Sequence, residues 1–126
     1  MLKILVAEDE KIVALDIQNT ILNLGYDVTS IVNSGEEVLQ KVESEKPDLI
    51  LMDITLKGDA SGIECAQIIS KKYNIPCIFL SGYSSKEISE KIKDLNNSTY
   101  LKKPFDKSSL AAAIGSAIKL NNLIVA

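Results

Sequence analysis

The stretch Pro47-Asp48-Leu49-Ile50-Leu51-Met52-Asp53-Ile54 is a short apolar run with a proline at its front and a carboxylate near its end. Proline disfavours helix in the residue before it, and an apolar run this short, bounded by polar residues, reads as strand rather than buried helix. Apolar residues without alternation mark a strand covered on both faces, which is the condition of a central strand in a parallel sheet. The same kind of run occurs at Leu2–Ala7 and Cys77–Ser81, with β-rich segments at Asp27–Val32 and Thr99–Lys102, while the strand within residues 47–54 spans Asp48–Met52.

Segments of helical period separate these five strands. Val13, Ile17, Ile21 and Leu24 form one apolar stripe ending beside Gly25, a residue suited to a helix C-cap. Ser34-Gly-Glu-Glu37, Ser61-Gly-Ile-Glu64 and Ser84-Ser-Lys-Glu87 have capping-box spacing, so three helices are expected to start there. A fifth follows Asp106, with Leu110, Ala113, Ile114, Ala117 and Ile118 on one side. Five strands alternating with five helices give an α/β fold, a parallel (βα)5 sheet with helices on both faces.

With 126 residues, the chain is sized for one domain, residues 1–126. Its net charge of −3 gives no overall attraction to nucleic acid or anionic membranes. The apolar start stops at Glu8, too short for a signal peptide core or a membrane span, so a cytoplasmic protein is expected. Cys65 and Cys77 lack C-x-x-C spacing and sit in apolar surroundings, as buried free thiols do. Histidine is absent, which removes imidazole metal ligands and Ser-His or Cys-His nucleophiles.

In such folds the functional crevice lies at the carboxyl ends of the strands. Those ends carry Glu8, Asp9 and Glu10 after the first strand, Asp53 after the third, Ser81 after the fourth, and Lys103 with Pro104 after the fifth. Carboxylates converging there repel one another unless a cation lies among them, and hard oxygen ligands select magnesium or calcium. Magnesium held by one or two carboxylates and completed by phosphate oxygens suits Glu8, Asp9 and Asp53. Lys103 and the Ser81 hydroxyl can serve further phosphoryl oxygens, which leaves Asp53 as nucleophile toward a phosphoryl donor. Each residue alone has a plainer reading. Acidic groups after a strand cap helices, Ser81-Gly82 is turn chemistry, lysines are surface charge, and Glu10 is expected to be exposed. Their joint placement is what argues for one phosphoryl site.

The runs ILVAEDE, PDLILMDI, IPCIFLSG and YLKKPF, in this order and spacing, resemble the receiver domains of two-component response regulators, single-domain chemotaxis receivers included. The likeness covers nearly the whole length. It implies a flavodoxin-like doubly wound sandwich of strand order 2-1-3-4-5. It implies that Asp53 is phosphorylated by a sensor histidine kinase or phosphotransfer protein, and that Glu8, Asp9, Asp53 and the Thr55 backbone carbonyl bind Mg2+. It also implies that Ser81 and Lys103 hold the phosphoryl group, that the bond before Pro104 is cis, and that Tyr100 is an aromatic switch. Phosphorylation would then change the surface of the fourth helix, fifth strand and fifth helix and so control a partner protein. The chain would be no enzyme beyond its own phosphoryl transfer and dephosphorylation, and a monomer or weak dimer. The fourth helix, anchored only by Ile88, Ile92 and Leu95, reads as an element that is cheap to shift, or as a plain surface helix.

Departures from the family pattern are Glu8 in place of aspartate, Ser81 in place of threonine, and Lys57 with one extra residue before Gly62. Tyr83 near the site is a further residue expected to tune phosphoryl lifetime. Two other function classes are open to this sequence: a phosphorylation-independent docking module, and a haloacid dehalogenase-type hydrolase. The second is weakened because its second motif aspartate would fall at Thr55. The apolar tail Leu123-Ile124-Val125 is compatible both with a stand-alone receiver and with one that leads into an output domain.

Overall fold

The computed structural model describes residues 2–54, 56, 62–82, 84–95 and 97–125, and of Ser85 and residues 120–125 the backbone alone. In chain order the elements are β1 (Lys3–Ala7), α1 (Lys11–Asn23), β2 (Asp27–Val32), α2 (Gly35–Glu45), β3 (Leu49–Asp53), α3 (Gly62–Lys72), β4 (Cys77–Ser81), α4 (Ser85–Ile92), β5 (Ser98–Lys102) and α5 (Lys107–Val125). All strand pairs are parallel and the sheet order is β2-β1-β3-β4-β5. Both features agree with the sequence expectation.

The three unalternating runs are indeed the inner strands. Every residue of β3 and β4, and all of β1 after Lys3, is buried. Side chains of a strand alternate between faces, and this alternation splits the core in two. Leu5, Ile50, Met52 and Phe79 pack with Val38 and Val42 of α2, Cys65 and Ile69 of α3, and Ile88 and Ile92 of α4. Ile4, Val6, Leu51, Ile78 and Leu80 pack on the other face with Ile17 and Ile21 of α1 and Leu110 and Ile114 of α5.

The helix starts follow the serine signals. The Ser34 hydroxyl accepts from Glu37 N at 3.3 Å, and the Ser84 hydroxyl from Glu87 N at 3.2 Å. Ser61 lies outside the described residues, although α3 begins next to it. Asp106 caps α5 by accepting from Ser109 N at 2.8 Å, and that backbone bond holds its carboxyl below the usual carboxylate range. Gly25 follows α1 at φ +90°, a conformation that other residues adopt only with strain.

Six expectations need correction: β1 begins at Lys3 rather than Leu2, α4 ends at Ile92 and leaves Leu95 beyond it, and four others follow. Leu24 is the C-cap residue and 41% exposed, outside the buried stripe, which runs through Ala14, Ile17 and Ile21 instead. β3 is shifted by one residue, because Asp48 uses its carboxylate on Lys3 N at 2.8 Å and the ladder starts at Leu49. β5 starts one residue earlier than read, at Ser98, because Cys77 pairs with it. The tail read as following the last helix is part of it: α5 continues through Val125, since neither glycine nor proline occurs between Ser116 and Val125 to stop it.

Both cysteines are buried and free. Burial pushes the Cys65 thiol up to about 11 and raises that of Cys77 further still. Both are therefore inert thiols near neutral pH.

Removing the Ser34 hydroxyl leaves the α2 start without its side-chain acceptor. Ser34→Ala is expected to cost about 1 kcal/mol of unfolding free energy. Urea titration checks this through a lower midpoint at unchanged slope.

Candidate functional site

The parallel ladders bring three chemically distinct strand ends together. β3 lies between β1 and β4, with Ala7 opposite Met52 and Asp53 opposite Leu80. Glu8 therefore leaves β1 beside Asp53, and Ser81 closes β4 on the other side. The end of β5 is tied to β4 by Lys103 N donating to Ser81 O at 2.7 Å.

Strand alternation also decides which groups face each other. Val6 and Leu51 point to the α1 and α5 side, and so do Glu8 and Asp53 two residues on. Leu101 shares that side, and Lys103 follows it at the same phase. Tyr100 packs on the opposite side with Ile88 and Ile92. Ser81, two residues after Phe79, belongs by alternation to that side as well.

Lys103 Nζ donates to Asp53 Oδ2 at 3.0 Å and to Glu8 Oε2 at 3.1 Å. Both carboxylates are nearly inaccessible: Asp53 is 4% and Glu8 2% exposed. Glu8 Oε1 also accepts from Glu10 N at 3.2 Å. Asp9 completes an acidic cluster in which one carboxylate oxygen from each of Glu8, Asp9 and Asp53 lies within 4.8 Å of the others. Burial raises the Glu8 carboxyl above its usual range; the Lys103 bond opposes this and the Asp53 charge reinforces it. Burial alone would lower Lys103, but its bonds to Asp53 and Glu8 outweigh that and raise it.

Three hard oxygen donors this close, of which Lys103 balances only part of the charge, suit a divalent cation of the magnesium type. Glu8, longer than the aspartate common in the family, still reaches the cluster. Its bend back to Glu10 N takes up the extra length.

Among the residues singled out in the sequence, Glu8, Asp9, Asp53 and Lys103 are brought together, and Ser81 is buried at the adjoining strand end. Tyr100 is half-buried against α4, one strand away. Glu10 is exposed, as expected. The Lys103–Pro104 peptide bond is cis, as the resemblance implied. Thr55, Lys57 and Tyr83 lie outside the described residues. One contributor went unread. A Cβ on Gly62 would stand 2.6 Å from Asp53 O, so only glycine lets α3 approach the end of β3 this closely. The available signal was Gly62 following Ser61 at the helix start, a position any residue can fill unless something presses against it.

The fold and this pocket define a doubly wound receiver-type domain, acidic at the carboxyl edge of its sheet. The family model for the response regulator receiver domain matches residues 4–115, and the chain belongs to that family. It is 32% identical over 116 residues to the transcriptional regulatory protein PdtaR of Mycobacterium tuberculosis, covering 92% of this chain and 56% of that protein. It is also 32% identical over 122 residues to the alkaline phosphatase synthesis transcriptional regulatory protein PhoP of Bacillus subtilis, covering 96% and 50%. The chain thus spans about half the length of these curated relatives. Among solved structures, the signal receiver domain of a modulated diguanylate cyclase from Desulfovibrio desulfuricans matches with a TM-score of 0.87 at 31% identity, over 98% of both chains.

The raised Glu8 carboxyl fixes the sign of a stability effect. A carboxyl whose pKa is higher folded than unfolded binds its proton more tightly in the native state, so its ionised form opposes folding at neutral pH. That penalty is relieved as pH falls through the raised value. Glu8→Gln, which imitates the protonated side chain, is expected to raise the melting temperature of the metal-free protein at pH 7. The gain should shrink on acidification, and calorimetry across that pH range reads both.

Proposed function

We propose that this chain is a phosphorylation-driven signalling switch whose acceptor is Asp53. The observation that carries the reading is the Lys103 ammonium shared by two buried carboxylates, Asp53 and Glu8, beside Asp9. A structural ion pair needs one acid for one base, and the surplus of carboxylates has use where a phosphoryl group and a cation arrive together.

Glu8, Asp9 and Asp53, with the Thr55 carbonyl that the family likeness supplies, would hold Mg2+. When bound, the ion provides positive charge toward the oxygens of a transferring phosphoryl group. An Asp53 carboxylate oxygen attacks phosphorus, the O–P bond forms, and the N–P bond of a phosphohistidine on a sensor kinase or phosphotransfer protein breaks. The departing imidazole takes the bonding electron pair and is neutralised by a proton. Lys103 gives up its contact with Asp53 for a phosphoryl oxygen, and the Ser81 hydroxyl donates to another. Water later hydrolyses the acyl phosphate, so the chain turns over only its own modification.

Output is proposed to run through the opposite side of the sheet. Ser81 and Tyr100 lie at the phase that faces α4, and α4 is short, with Ile88 and Ile92 the only buried residues among its described side chains. A pull on Ser81 frees room for Tyr100 to turn inward, which alters the surface of α4, β5 and α5 offered to a downstream protein. Among the described residues no helix is long and apolar enough to cross a membrane. Together with the acidic net charge, this supports a cytoplasmic protein whose receiver acts by protein contact rather than on nucleic acid.

Beryllium fluoride with magnesium, which mimics the phosphoryl group, is expected to shift the NMR signals of Ser81, Tyr100 and α4 in the native protein but not in Asp53→Asn. Asp9→Ala should weaken magnesium binding by about tenfold or more. Lys103→Ala should keep binding but lose the response. Native protein that binds magnesium and gives no response would favour a docking module that works without phosphorylation.

A further inference from the structure

α1 is apolar on two sides. Ala14, Ile17 and Ile21 pack inward, while Ile12 is 84%, Leu15 56% and Leu22 48% exposed. Exposed apolar residues scattered singly are ordinary, but these share one stripe with the exposed Asn19. The spacings from Ile12 through Leu15 and Asn19 to Leu22 are three, four and three, which matches the a-d-a-d spacing of a coiled-coil seam over the length of this short helix. Ile17 stands at the f position of that frame, opposite the seam, which is why one helix can be packed on the sheet and still present the stripe outward.

The seam also specifies its partner. Isoleucine at a with leucine at d favours two parallel strands, and a single asparagine at an a position fixes register by pairing with its own copy. In a parallel pair, a g residue faces the e residue five positions on in the partner helix. Lys11 is at g and Asp16 at e, and both are exposed, so two copies of α1 would make two symmetric Lys11–Asp16 pairs. The surface is thus complementary to itself in charge as well as apolar along its seam.

We propose that α1 pairs in parallel with α1 of a second copy of this chain, along Ile12, Leu15, Asn19 and Leu22. The two-fold axis then runs along the helices. Because Glu8 and Asp9 stand just before the N-cap residue Glu10 of α1, both acidic pockets lie at the same end of the dimer. Ile12 also lines a cleft with Glu10, Val13, Lys103, Pro104 and Phe105, so pairing narrows access to the pocket from that side. The proposal stands apart from the phosphorylation reading, since none of the seam residues belongs to the acidic cluster.

Sedimentation equilibrium on the whole chain, from micromolar to millimolar concentration and with or without magnesium, tests it. Native protein should dimerise, and Leu15→Glu should be monomeric with an unchanged circular dichroism spectrum. Lys11→Glu and Asp16→Lys should each raise the dissociation constant by about tenfold or more, as attraction becomes repulsion at two symmetric contacts. Mixed in equal amounts, these two variants should restore dimers as a heterodimer, since every pair is then of opposite charge. A native chain that stays monomeric throughout would overturn the proposal and leave the stripe to a helix of another protein. Charge variants that dimerise like the native chain would place the interface elsewhere, and a mixture no tighter than its components would reject the parallel register.

Discussion

The structure depends most on a single cation placed between two buried anions. Asp53 and Glu8 sit at the ends of neighbouring inner strands, where neither has access to bulk water. Two carboxylates so placed repel each other, and each loses hydration on burial. Lys103 reaches across from the end of β5, on the far side of β4, to meet both. Its reach depends on the backbone bond from Lys103 N to Ser81 O, which fixes the start of the loop after β5 against the end of β4. The pocket is therefore a property of the whole sheet order. Exchange any two inner strands and Lys103 no longer meets both carboxylates.

This arrangement is compensated only in part, and that is what makes it responsive. Three acids share one ammonium, so a divalent cation and a phosphoryl group together fit a charge pattern that the protein alone leaves incomplete. On the other side of the sheet, the alternation of β4 and β5 places Ser81 and Tyr100 toward the short α4. The same register that gathers the carboxylates on one face thus leaves the candidate relay groups on the other, one residue away along the strand.

Much of this was legible in the chain because period and position are strong signals. Unalternating LILM and CIFL announced inner strands, Ser34 and Ser84 announced helix starts, and the strand ends pointed to Glu8, Asp9, Asp53, Ser81 and Lys103. What escaped was set by tertiary contact. Leu24 continues the apolar spacing of α1 but is its C-cap residue, where the side chain is exposed rather than packed on the sheet. Asp48 looked like strand because its neighbours are apolar, yet its carboxylate ties down the β1 start. Gly62 gave only the weak sign of a glycine at a helix start, because its closeness to Asp53 is set by how α3 docks on the end of β3. The heptad frame of Ile12, Leu15, Asn19 and Leu22 was masked by the inward stripe of the same helix, and only exposure separates the two.

The central claim is chemical: of the three clustered carboxylates, Asp53 alone becomes an acyl phosphate. After treatment with a small phosphodonor and magnesium, borohydride reduces an acyl phosphate to an alcohol and leaves free carboxylates untouched. Tandem mass spectrometry of the digested protein then reads the modified position directly. The account predicts homoserine at position 53 and at no other site. Reduction at Glu8 or Asp9, or none at all in protein that binds magnesium, would contradict it.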